Sequence, residues 1–442
     1  MRRKKIKQPM PERELTIEAL SHEGRGIAHH EGKVVFVEGA LPGERVIARV
    51  VTHQRRFDEA RVEQVLEASD RRVEPPCPHA SVCGGCSLQH MASDEQIVFK
   101  QNVLAEQFLH FGGLVPEVWL PPLRSTTLGY RRKARLGVRY VIKKEKLLVG
   151  FREKHSNFLV DMATCSVLDQ RLGAVIPELA AMLSTLEVRD QIAQIEFAAG
   201  DDDLALIFRH LVDLPAHDEE ALIHFCRVRG WQAWGQRSGP VTQRRLDAPG
   251  DERLYYGLPR QGLRMAFHPG DFTQVHAGIN HAMIELALEL LDVRPEHKVL
   301  DLFCGLGNFT LPLARRGAAV TGVEGSEAMT QRAAENAAEH GLSNVNLLAV
   351  DLADEQQDWS WLEPPYDRML IDPPRSGAEL IVRNMHRFGA DKLVYVSCNP
   401  ATLARDAGIL VEKGYCLRQA GVMDMFPHTA HVESIALFDR IR

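Results

Sequence analysis

Disulfide frameworks, membrane spans and low-complexity tracts are all missing from this chain of 442 residues. Eight cysteines are too few for a disulfide scaffold in a chain of this length, which excludes the small secreted disulfide-rich class. No apolar run approaches the ~18 residues of a membrane span, and no apolar segment follows the basic start MRRKKIK as it would in a secretory signal. We therefore expect a cytoplasmic protein without membrane contact.

The composition is typical of a globular protein, with 45% hydrophobic and 25% charged residues, and the length predicts roughly two to four domains. The net charge of −6 conceals an asymmetry: residues 1–150 hold 25 Lys/Arg and 18 Asp/Glu, whereas the remainder holds 28 and 41. A basic first part on an acidic chain favours contact with a polyanion such as nucleic acid. The alternative is a solubilising tail, because MRRKKIK alone contributes five of these positive charges.

Residues 10–68 are predicted to form a small β-barrel of the OB type, a fold that often holds nucleic acid. Short apolar stretches separated by glycine-containing turns indicate five strands. These stretches are Leu15–Leu20, Gly26–Ala28, Val34–Val37, Arg45–Val51 and Ala60–Leu66. A barrel used only for protein contacts is the alternative.

Residues 69–265 are predicted to form a central domain of mixed α+β structure. A loop rich in proline and glycine opens it, and Ser93 followed by an acidic first turn predicts a helix over residues 93–110. Residues 131–146 hold eight Lys/Arg against one Glu, in an alternation typical of strands. Outward cations on such strands suit a phosphate backbone, although a solvated strand face would have the same pattern.

From residue 266 to the end, apolar strands alternate with helices, which predicts an α/β domain with a doubly wound parallel sheet. A long amphipathic helix over about residues 276–292 precedes the first strand. The predicted strands are 299–303, 319–324, 345–351, 368–374 and 393–398, followed by two late strands. Ligands of such sheets bind outside the carboxyl ends of the strands, so the residues after each strand form the candidate site.

The turn after the first of these strands reads FCGLGNFT and predicts a site for S-adenosylmethionine (AdoMet). Gly305 and Gly307 let the backbone close tightly and approach a ligand. Glu324 ends the next strand, where a carboxylate can accept both hydroxyls of a ribose, and Asp351 ends the third strand, where it can face an adenine amine. Thr310 stands where a dinucleotide-binding turn has its third glycine, which favours AdoMet over NAD.

Two proline-containing turns carry the candidate chemistry, Asp372-Pro373-Pro374-Arg375 after the fourth strand and Ser397-Cys398-Asn399-Pro400 after the fifth. A pyrimidine C5 carbon is a poor nucleophile until a thiolate adds to C6, and Cys398 at a strand end suits that attack. The Asp-Pro-Pro turn could instead serve amine methylation, which needs no enzyme nucleophile. Cys304 lies inside the glycine turn and is expected to serve packing.

After methyl transfer to C5, a general base must remove the C5 proton before the thiol can be eliminated. The late segment MDMFPHTAHVESIALF offers Glu433, and His428 and His431 are the alternatives. We expect Glu433 to be the base, because a carboxylate takes the proton without first losing one of its own.

Three cysteines lie within ten residues as Cys77-x5-Cys83-x2-Cys86, and Cys165 is the next cysteine along the chain. Four thiolates can hold zinc or an iron–sulfur cluster. The lack of histidine in the set, the unequal spacing and the distant fourth ligand favour [4Fe–4S], but the spacing alone does not identify the metal.

Two long segments resemble, position for position, the signatures of the RNA uracil-C5 methyltransferases: DPPRSG, fifteen residues, then LVYVSCNPAT, and the later MDMFPHTAHVE. The resemblance implies that Cys398 is the nucleophile and that Glu433 removes the C5 proton. The AdoMet contacts that it implies are Gln274, Phe303, Asn308, Glu324, Asp351 and Asp372. The ligands that it implies for a [4Fe–4S] cluster are Cys77, Cys83, Cys86 and Cys165.

The resemblance covers essentially the whole chain and implies three domains: a TRAM barrel (10–68), an iron–sulfur central domain (69–265) and a Rossmann-like AdoMet-dependent methyltransferase domain (266–442). It also implies that segment 93–124 docks on the last domain. Within the family, a barrel together with a cluster implies 23S ribosomal RNA as the substrate, methylated at C5 of one uridine (uracil-1939) that is flipped out of its stack.

Nothing in the sequence suggests an obligate oligomer, so we expect a monomer. Two rival functions remain open at this point. One is an AdoMet-dependent enzyme that methylates an amine through the Asp-Pro-Pro turn, and the other is a non-enzymatic RNA-binding or iron–sulfur sensor protein.

Overall fold

The computed structural model describes residues 11–248 and 253–441, so the basic start MRRKKIK lies outside the described residues. The chain divides into two compact units. The first unit is Met1–Phe99 with Glu153–His155 and Pro427–His431, and the second unit is the rest of the chain. The domain boundaries expected from the sequence, at residues 68 and 265, stay predictions.

The first unit contains a six-stranded sheet with the order β1-β5-β6-β4-β3-β2. Its strands are β1 (Glu12–Thr16), β2 (Ala19–Leu20), β3 (Gly26–His30), β4 (Lys33–Glu38), β5 (Arg45–His53) and β6 (Phe57–Glu67). Alternate residues of these strands are buried and form one apolar core. The sequence predicts five strands; the stretch Leu15–Leu20 divides in two because β1 pairs with β5, whereas β2 pairs with β3.

Helix α1 (Ser93–Gln107) begins in the first unit and ends in the second, and a π-helical turn continues it over Phe108–Gly112. The second unit then contains a six-stranded sheet with the order β13-β12-β11-β10-β8-β9. The strands of this part are β7 (Val118–Trp119), β8 (Lys133–Val141), β9 (Lys146–Gly150), β10 (Ile192–Ala199), β11 (Leu204–His210), β12 (Gln232–Gln236) and β13 (Gln243–Arg245), followed by the hairpin β14 (Leu254–Leu258) and β15 (Leu263–Phe267). Its helices are α2 (Gln170–Gly173), α3 (Ile176–Ser184) and α4 (Ala216–Arg227).

The second unit also contains an eight-stranded sheet with the order β18-β17-β16-β19-β20-β22-β21-β7. Its remaining strands are β16 (Lys298–Leu302), β17 (Ala319–Glu324), β18 (Val345–Ala349), β19 (Arg368–Ile371), β20 (Lys392–Ser397), β21 (Tyr415–Met423) and β22 (Glu433–Arg440). The helices around it are α5 (Ala277–Leu291), α6 (Thr310–Arg315), α7 (Glu327–Glu339), α8 (Glu379–Arg383) and α9 (Pro400–Glu412).

Five neighbouring strands of this sheet, from β18 to β20, run parallel, as the sequence predicts. Strand β22 departs from that prediction, because it is antiparallel to both β20 and β21. The connection from β21 to β22 is too short for the crossover that a parallel neighbour requires. Among the helices of the described residues, none is both long and apolar enough to cross a membrane.

A buried carboxylate binds two cationic side chains and a histidine of the sheet in the first unit. Asp58 in β6 accepts hydrogen bonds from Arg13 Nη1 (2.8 Å) and from Lys33, and its Oδ1 lies 3.0 Å from His53 Nδ1. Burial raises the pKa of Asp58, but hydrogen bonds from these three partners outweigh burial and lower the pKa to about 2.

We expect Asp58→Ala to lower the free energy of unfolding at pH 7 by about 3 kcal/mol, because Arg13 and Lys33 lose their carboxylate partner. The folded-state pKa of about 2 lies below the ordinary value of 3.8, so this stabilisation is full above about pH 4 and is lost as the pH falls toward 2. Urea unfolding of the full chain at pH 7 and pH 3 measures both effects. An equal loss in Asp70→Ala, which removes an exposed carboxylate, would contradict the prediction.

Candidate active site

The turn that follows β16 forms an open backbone cradle at the carboxyl edge of the eight-stranded sheet. Gly305 and Gly307 have φ angles of +57° and +95°, and Phe303 has a φ of 62°, a conformation that L side chains rarely adopt. A Cβ on Gly307 would meet Leu311 at 2.4 Å, so glycine permits the tight passage into α6. A Cβ on Gly305 would make only one contact within 4 Å, an ordinary van der Waals contact with Met329 at 3.7 Å, so this side of the backbone is accessible to a ligand.

Glu324 ends β17, and its carboxylate is already oriented by this turn. One oxygen accepts a hydrogen bond from Gly305 N (3.1 Å) and the other from Ser326 N (3.1 Å). Asp351 lies exposed beyond the neighbouring strand β18, where its Oδ1 accepts a hydrogen bond from Ala353 N (2.9 Å). The two carboxylates that the sequence predicts for the ribose and the adenine therefore follow adjacent strands.

Two further predicted AdoMet contacts, Asn308 and Gln274, lie beside α5. Asn308 Oδ1 accepts hydrogen bonds from Tyr256 Oη (2.9 Å) and Asn280 Nδ2 (3.1 Å), and Asn308 Nδ2 donates to Asn280 Oδ1 (2.8 Å). These bonds join the glycine turn to α5 and β14, and they leave at most one N–H of the Asn308 amide for a ligand. Gln274 lines a small pocket together with Tyr256 and Asn280.

The register of two adjacent strands brings together the nucleophile and the base that the sequence predicts. In the antiparallel pair of β20 and β22, Ser397 lies opposite Ser434, so the next position sets Cys398 beside Glu433. The Cα atoms of such neighbours are typically about 4.5–5.5 Å apart. Asp372 follows β19, on the other side of β20, and this register therefore brings three reactive side chains to one edge of the sheet.

Burial raises the pKa values of all three groups, and repulsion by neighbouring carboxylates raises those of Cys398 and Glu433 further. The pKa of Cys398 is raised to about 11, first by burial and then by Glu433 and Asp372, and Arg375 opposes the rise. The pKa of Glu433 is raised to about 8 by burial and by Asp372, while Arg375 and Lys100 lower it. Burial raises the pKa of Asp372 to about 7. The values of the two carboxyls, Asp372 and Glu433, lie near neutrality, which suits proton transfer.

Sequence reasoning missed two charged residues of this site, Lys100 and Asp424. The Lys100 side chain is fully buried, and its Nζ donates to Asp424 Oδ1 (2.6 Å) and to Phe426 O (2.9 Å). Lys100 follows Ile97 by three residues and precedes Leu104 by four, so it belongs to the apolar face of α1. A lysine among the apolar residues of one helix face is the sequence signal that could have identified this buried charge.

The alternative bases His428 and His431 both belong to the first unit. The backbone of His428 accepts hydrogen bonds from Ser87 N (3.0 Å) and Leu88 N (2.9 Å), and its own N donates to Gln96 Oε1 (2.8 Å). Gln96 Nε2 also lies 3.3 Å from His428 Nδ1. His428 therefore holds the cysteine-rich loop and α1 together, which is a structural task.

Three of the predicted cluster ligands lie in the first unit, where Cys77 and Cys83 are buried and Cys86 is partly buried. Burial raises the pKa of Cys83, and the neighbouring Cys77 raises it further, so these two thiols lie near each other. Cys165 is buried in the second unit, where its N donates to Gly173 O (3.1 Å). Within residues 11–248 and 253–441, no group of three or more His, Cys, Asp or Glu side chains is arranged to hold a metal ion.

The basic segment around β8 is only partly available to a polyanion. The predicted alternation is present, with Ala134 and Leu136 buried and with Arg135 and Arg139 exposed. Lys133 is different, because its Nζ donates to two backbone carbonyls and is only partly exposed. Arg135 also pairs with a glutamate (3.1 Å), so the outward charge of this strand is less than the sequence suggests.

Comparisons with known proteins find two matching family models and full-length relatives. A family model described as tRNA (Uracil-5-)-methyltransferase matches residues 92–441, and a TRAM domain model matches residues 10–62. The chain is 52% identical over 443 residues to 23S rRNA (uracil(1939)-C(5))-methyltransferase RlmD of Alcanivorax borkumensis, with 100% of both chains covered. It is also 52% identical over 446 residues to RlmD of Hahella chejuensis, again with 100% of both covered.

A solved structure has the same fold over nearly the whole chain. It is the Pyrococcus abyssi tRNA (uracil-54, C5)-methyltransferase in complex with S-adenosyl-L-homocysteine, with a TM-score of 0.74 and 24% identity. The match covers 96% of this chain and 99% of that chain. The TRAM barrel and the Rossmann-like sheet expected from the sequence are thereby confirmed as fold elements.

Glu433→Gln is expected to stabilise the fold more strongly as the pH rises. The pKa of Glu433 is about 8 in the folded protein, against an ordinary value of 4.5. Between these two pH values the Glu433 carboxyl is ionised in the unfolded wild type but largely protonated in the folded wild type, so a rise in pH favours the unfolded state. Each pH unit in this window destabilises the wild type by up to about 1.4 kcal/mol, and the glutamine variant avoids that loss. Urea unfolding at pH 5 and pH 8 measures the difference, with the exposed Glu412→Gln as control. A Glu433→Gln variant with the pH dependence of the wild type would refute the prediction.

Proposed function

Because this chain belongs to the tRNA (uracil-5-)-methyltransferase family, we propose that it transfers a methyl group from AdoMet to C5 of uracil-1939 in 23S ribosomal RNA. The observation that carries the proposal is the full-length identity of 52% to relatives whose names state this reaction. The strand register that sets Cys398 beside Glu433 supports it independently, since C5 methylation needs both a nucleophile and a base.

The residues around the glycine turn fit AdoMet. The open backbone at Gly305 and the oriented carboxylate of Glu324 suit a ribose, and the exposed Asp351 suits an adenine amine. The remaining contacts that we assign to AdoMet are Gln274, Phe303, Asn308 and Asp372. AdoMet, when bound, supplies a methyl group on a positively charged sulfonium, which makes that methyl electrophilic.

The first chemical step is attack by Cys398. The thiol loses its proton to solvent, the thiolate forms a bond with uracil C6, and the C5=C6 electron pair moves onto the C4 carbonyl oxygen. Arg375 assists this step, because a charge that lowers the pKa of Cys398 also favours the negative enolate. C5 then attacks the methyl group: the new C5–CH₃ bond forms while the bond between that methyl and the sulfonium sulfur breaks, and its electron pair stays on sulfur, which leaves S-adenosyl-L-homocysteine.

Glu433 completes the reaction as the general base. In its ionised form it takes the C5 proton, the C5=C6 bond forms again, and the S–C6 bond breaks to release Cys398 as a thiolate. A pKa raised to about 8 makes Glu433 a stronger base than an exposed carboxylate, at the cost of a smaller ionised fraction at neutral pH.

We assign RNA binding to the TRAM barrel and to the exposed arginines of β8, Arg135 and Arg139. Cations on a surface strand attract the phosphate backbone without reading sequence. A uridine can reach the Cys398 thiol only when it is unstacked and flipped out of the RNA, which favours a loop as the substrate. We propose that the enzyme acts as a monomer.

We also propose that Cys77, Cys83, Cys86 and Cys165 hold a [4Fe–4S] cluster. The chemistry of the donor set fits, because thiolates are the usual ligands of such clusters. The role of the cluster is structural, because C5 methylation transfers no net electrons.

RNA that carries 5-fluorouridine at position 1939 is expected to form a stable covalent adduct with the wild type, because fluorine cannot leave as a proton does. Cys398→Ala should form no adduct and lose methyl transfer to ordinary RNA, whereas an amine methyltransferase would keep its turnover. Denaturing gels with labelled RNA and labelled AdoMet measure both, and Cys416→Ala, at a cysteine in β21, is the control. Alkylated fluorinated RNA released without any crosslink would rule out the covalent mechanism.

Protein purified without oxygen is expected to be brown and to contain about four iron atoms per chain, and Cys83→Ser should lose them. Iron and sulfide analysis and visible absorption provide the measurement, with Cys416→Ser as control. A colourless protein with stoichiometric zinc would contradict this assignment.

A further inference from the structure

The reaction described above uses no lysine, yet a lysine without solvent exposure lies at the active site. Lys100 donates to Asp424 Oδ1 (2.6 Å) and to Phe426 O (2.9 Å), and both side chains of the ion pair are buried. An ammonium has three donors, and these two acceptors take two of them. Burying such a pair costs several kcal/mol in desolvation, and an apolar pair of similar volume often stabilises a fold as well or better.

The strand order brings this ion pair close to the base. β22 lies between β20 and β21, and Met423 of β21 is the cross-strand partner of Glu433. Asp424 is the next residue after Met423. Glu433 therefore has Cys398, at the end of β20, on one side, and the Lys100–Asp424 pair, directly after the end of β21, on the other side.

One of the charged groups near Glu433 has no role in the reaction described above. The charged groups that act on Glu433 are the Asp372 carboxyl and the cations Arg375 and Lys100, and Glu433 in turn acts on the Cys398 thiol. Asp372 disfavours ionised Glu433, and Asp424 is occupied by Lys100. Arg375 and Lys100 both lower the pKa of Glu433, but Arg375 is exposed and is assigned to the enolate, whereas Lys100 is buried and has no other role in the reaction.

We propose that Lys100, held in place by Asp424, is a positioning residue that keeps Glu433 ionised for removal of the C5 proton. The inference rests on the proposed function, because it concerns the base of that reaction. When Glu433 takes the proton it becomes neutral, and Lys100 remains paired with Asp424. Without Lys100, a larger fraction of Glu433 is protonated at neutral pH, and a protonated base cannot accept the C5 proton.

The predicted defect is confined to the end of the reaction. Attack by Cys398 and methyl transfer come before proton removal, so Lys100→Met should still form the methylated RNA adduct. Breakdown of that adduct at pH 7 should slow by about tenfold or more, which corresponds to a rise of one unit or more in the pKa of Glu433. Quenched time courses on denaturing gels, with ordinary RNA and labelled AdoMet, measure the adduct and the released product.

The pH dependence separates this role from a structural one. If Lys100 sets the ionised fraction of Glu433, the breakdown rate of Lys100→Met recovers toward the wild-type rate as the pH is raised to about 9–10, and Lys100→Arg retains most of the wild-type rate. Lys298→Met is the matched control, because it removes one cation from the opposite edge of the same sheet and should not change adduct breakdown. Asp424→Asn should reproduce the shifted pH profile, which keeps the test available if Lys100→Met does not fold.

The proposal is overturned if Lys100→Met or Asp424→Asn folds and breaks down the adduct with the wild-type pH profile. It is equally overturned if the slowing is the same at every pH, since that result indicates a structural defect. Failure of the wild type and of Glu433→Gln to form any adduct would instead count against the proposed function, whatever the behaviour of the lysine variants.

Discussion

Antiparallel pairing between β20 and β22 is the constraint on which this active site depends. Ser397 lies opposite Ser434, and the same register continues to Cys398 and Glu433. Side chains alternate between the two faces of a strand, so a shift by one residue would send Glu433 to the opposite face. An otherwise parallel sheet needs this one reversed strand because Glu433, the proposed base, lies at the start of β22, and Cys398, the proposed nucleophile, follows the end of β20. Only an antiparallel neighbour brings a strand start beside a strand end.

Electrostatic balance is the second feature of the site. Two carboxyls and a thiol are brought together in a partly buried region, where Asp372 raises the proton affinity of Glu433 and both carboxylates raise that of Cys398. The cations Arg375 and Lys100 oppose this repulsion from two sides, one exposed and one buried. A site with the carboxyls alone would hold its protons too tightly, whereas a fully solvated site would make Glu433 a weaker base. Glu433 therefore has a raised pKa and is still partly ionised at neutral pH.

Most of the fold and much of the site could be read from the sequence, because the signals are local. Apolar strands, glycine turns and the residues that follow each strand are short segments, and their order predicts a parallel sheet with its ligands at the carboxyl edge. The sequence did not predict the reversed β22 or the division of the first barrel stretch into β1 and β2, because strand direction and partner choice depend on the rest of the sheet. The sequence also did not predict the hydrogen bonds that Asn308 accepts from Tyr256 and Asn280, because both residues are distant from Asn308 in the chain.

By itself, the sequence determined the family and the candidate chemistry of the site: which thiol is the proposed nucleophile, which carboxylates follow which strands, and which family's signatures surround them. Only the tertiary structure decided how strongly each of those groups holds its proton. Lys100 and Asp424 are 324 residues apart in the chain, and their contact depends on where α1 packs and on how β21 and β22 pair. Proton affinity depends on burial and on charges a few ångströms away, and neither is encoded in the residues that flank a motif.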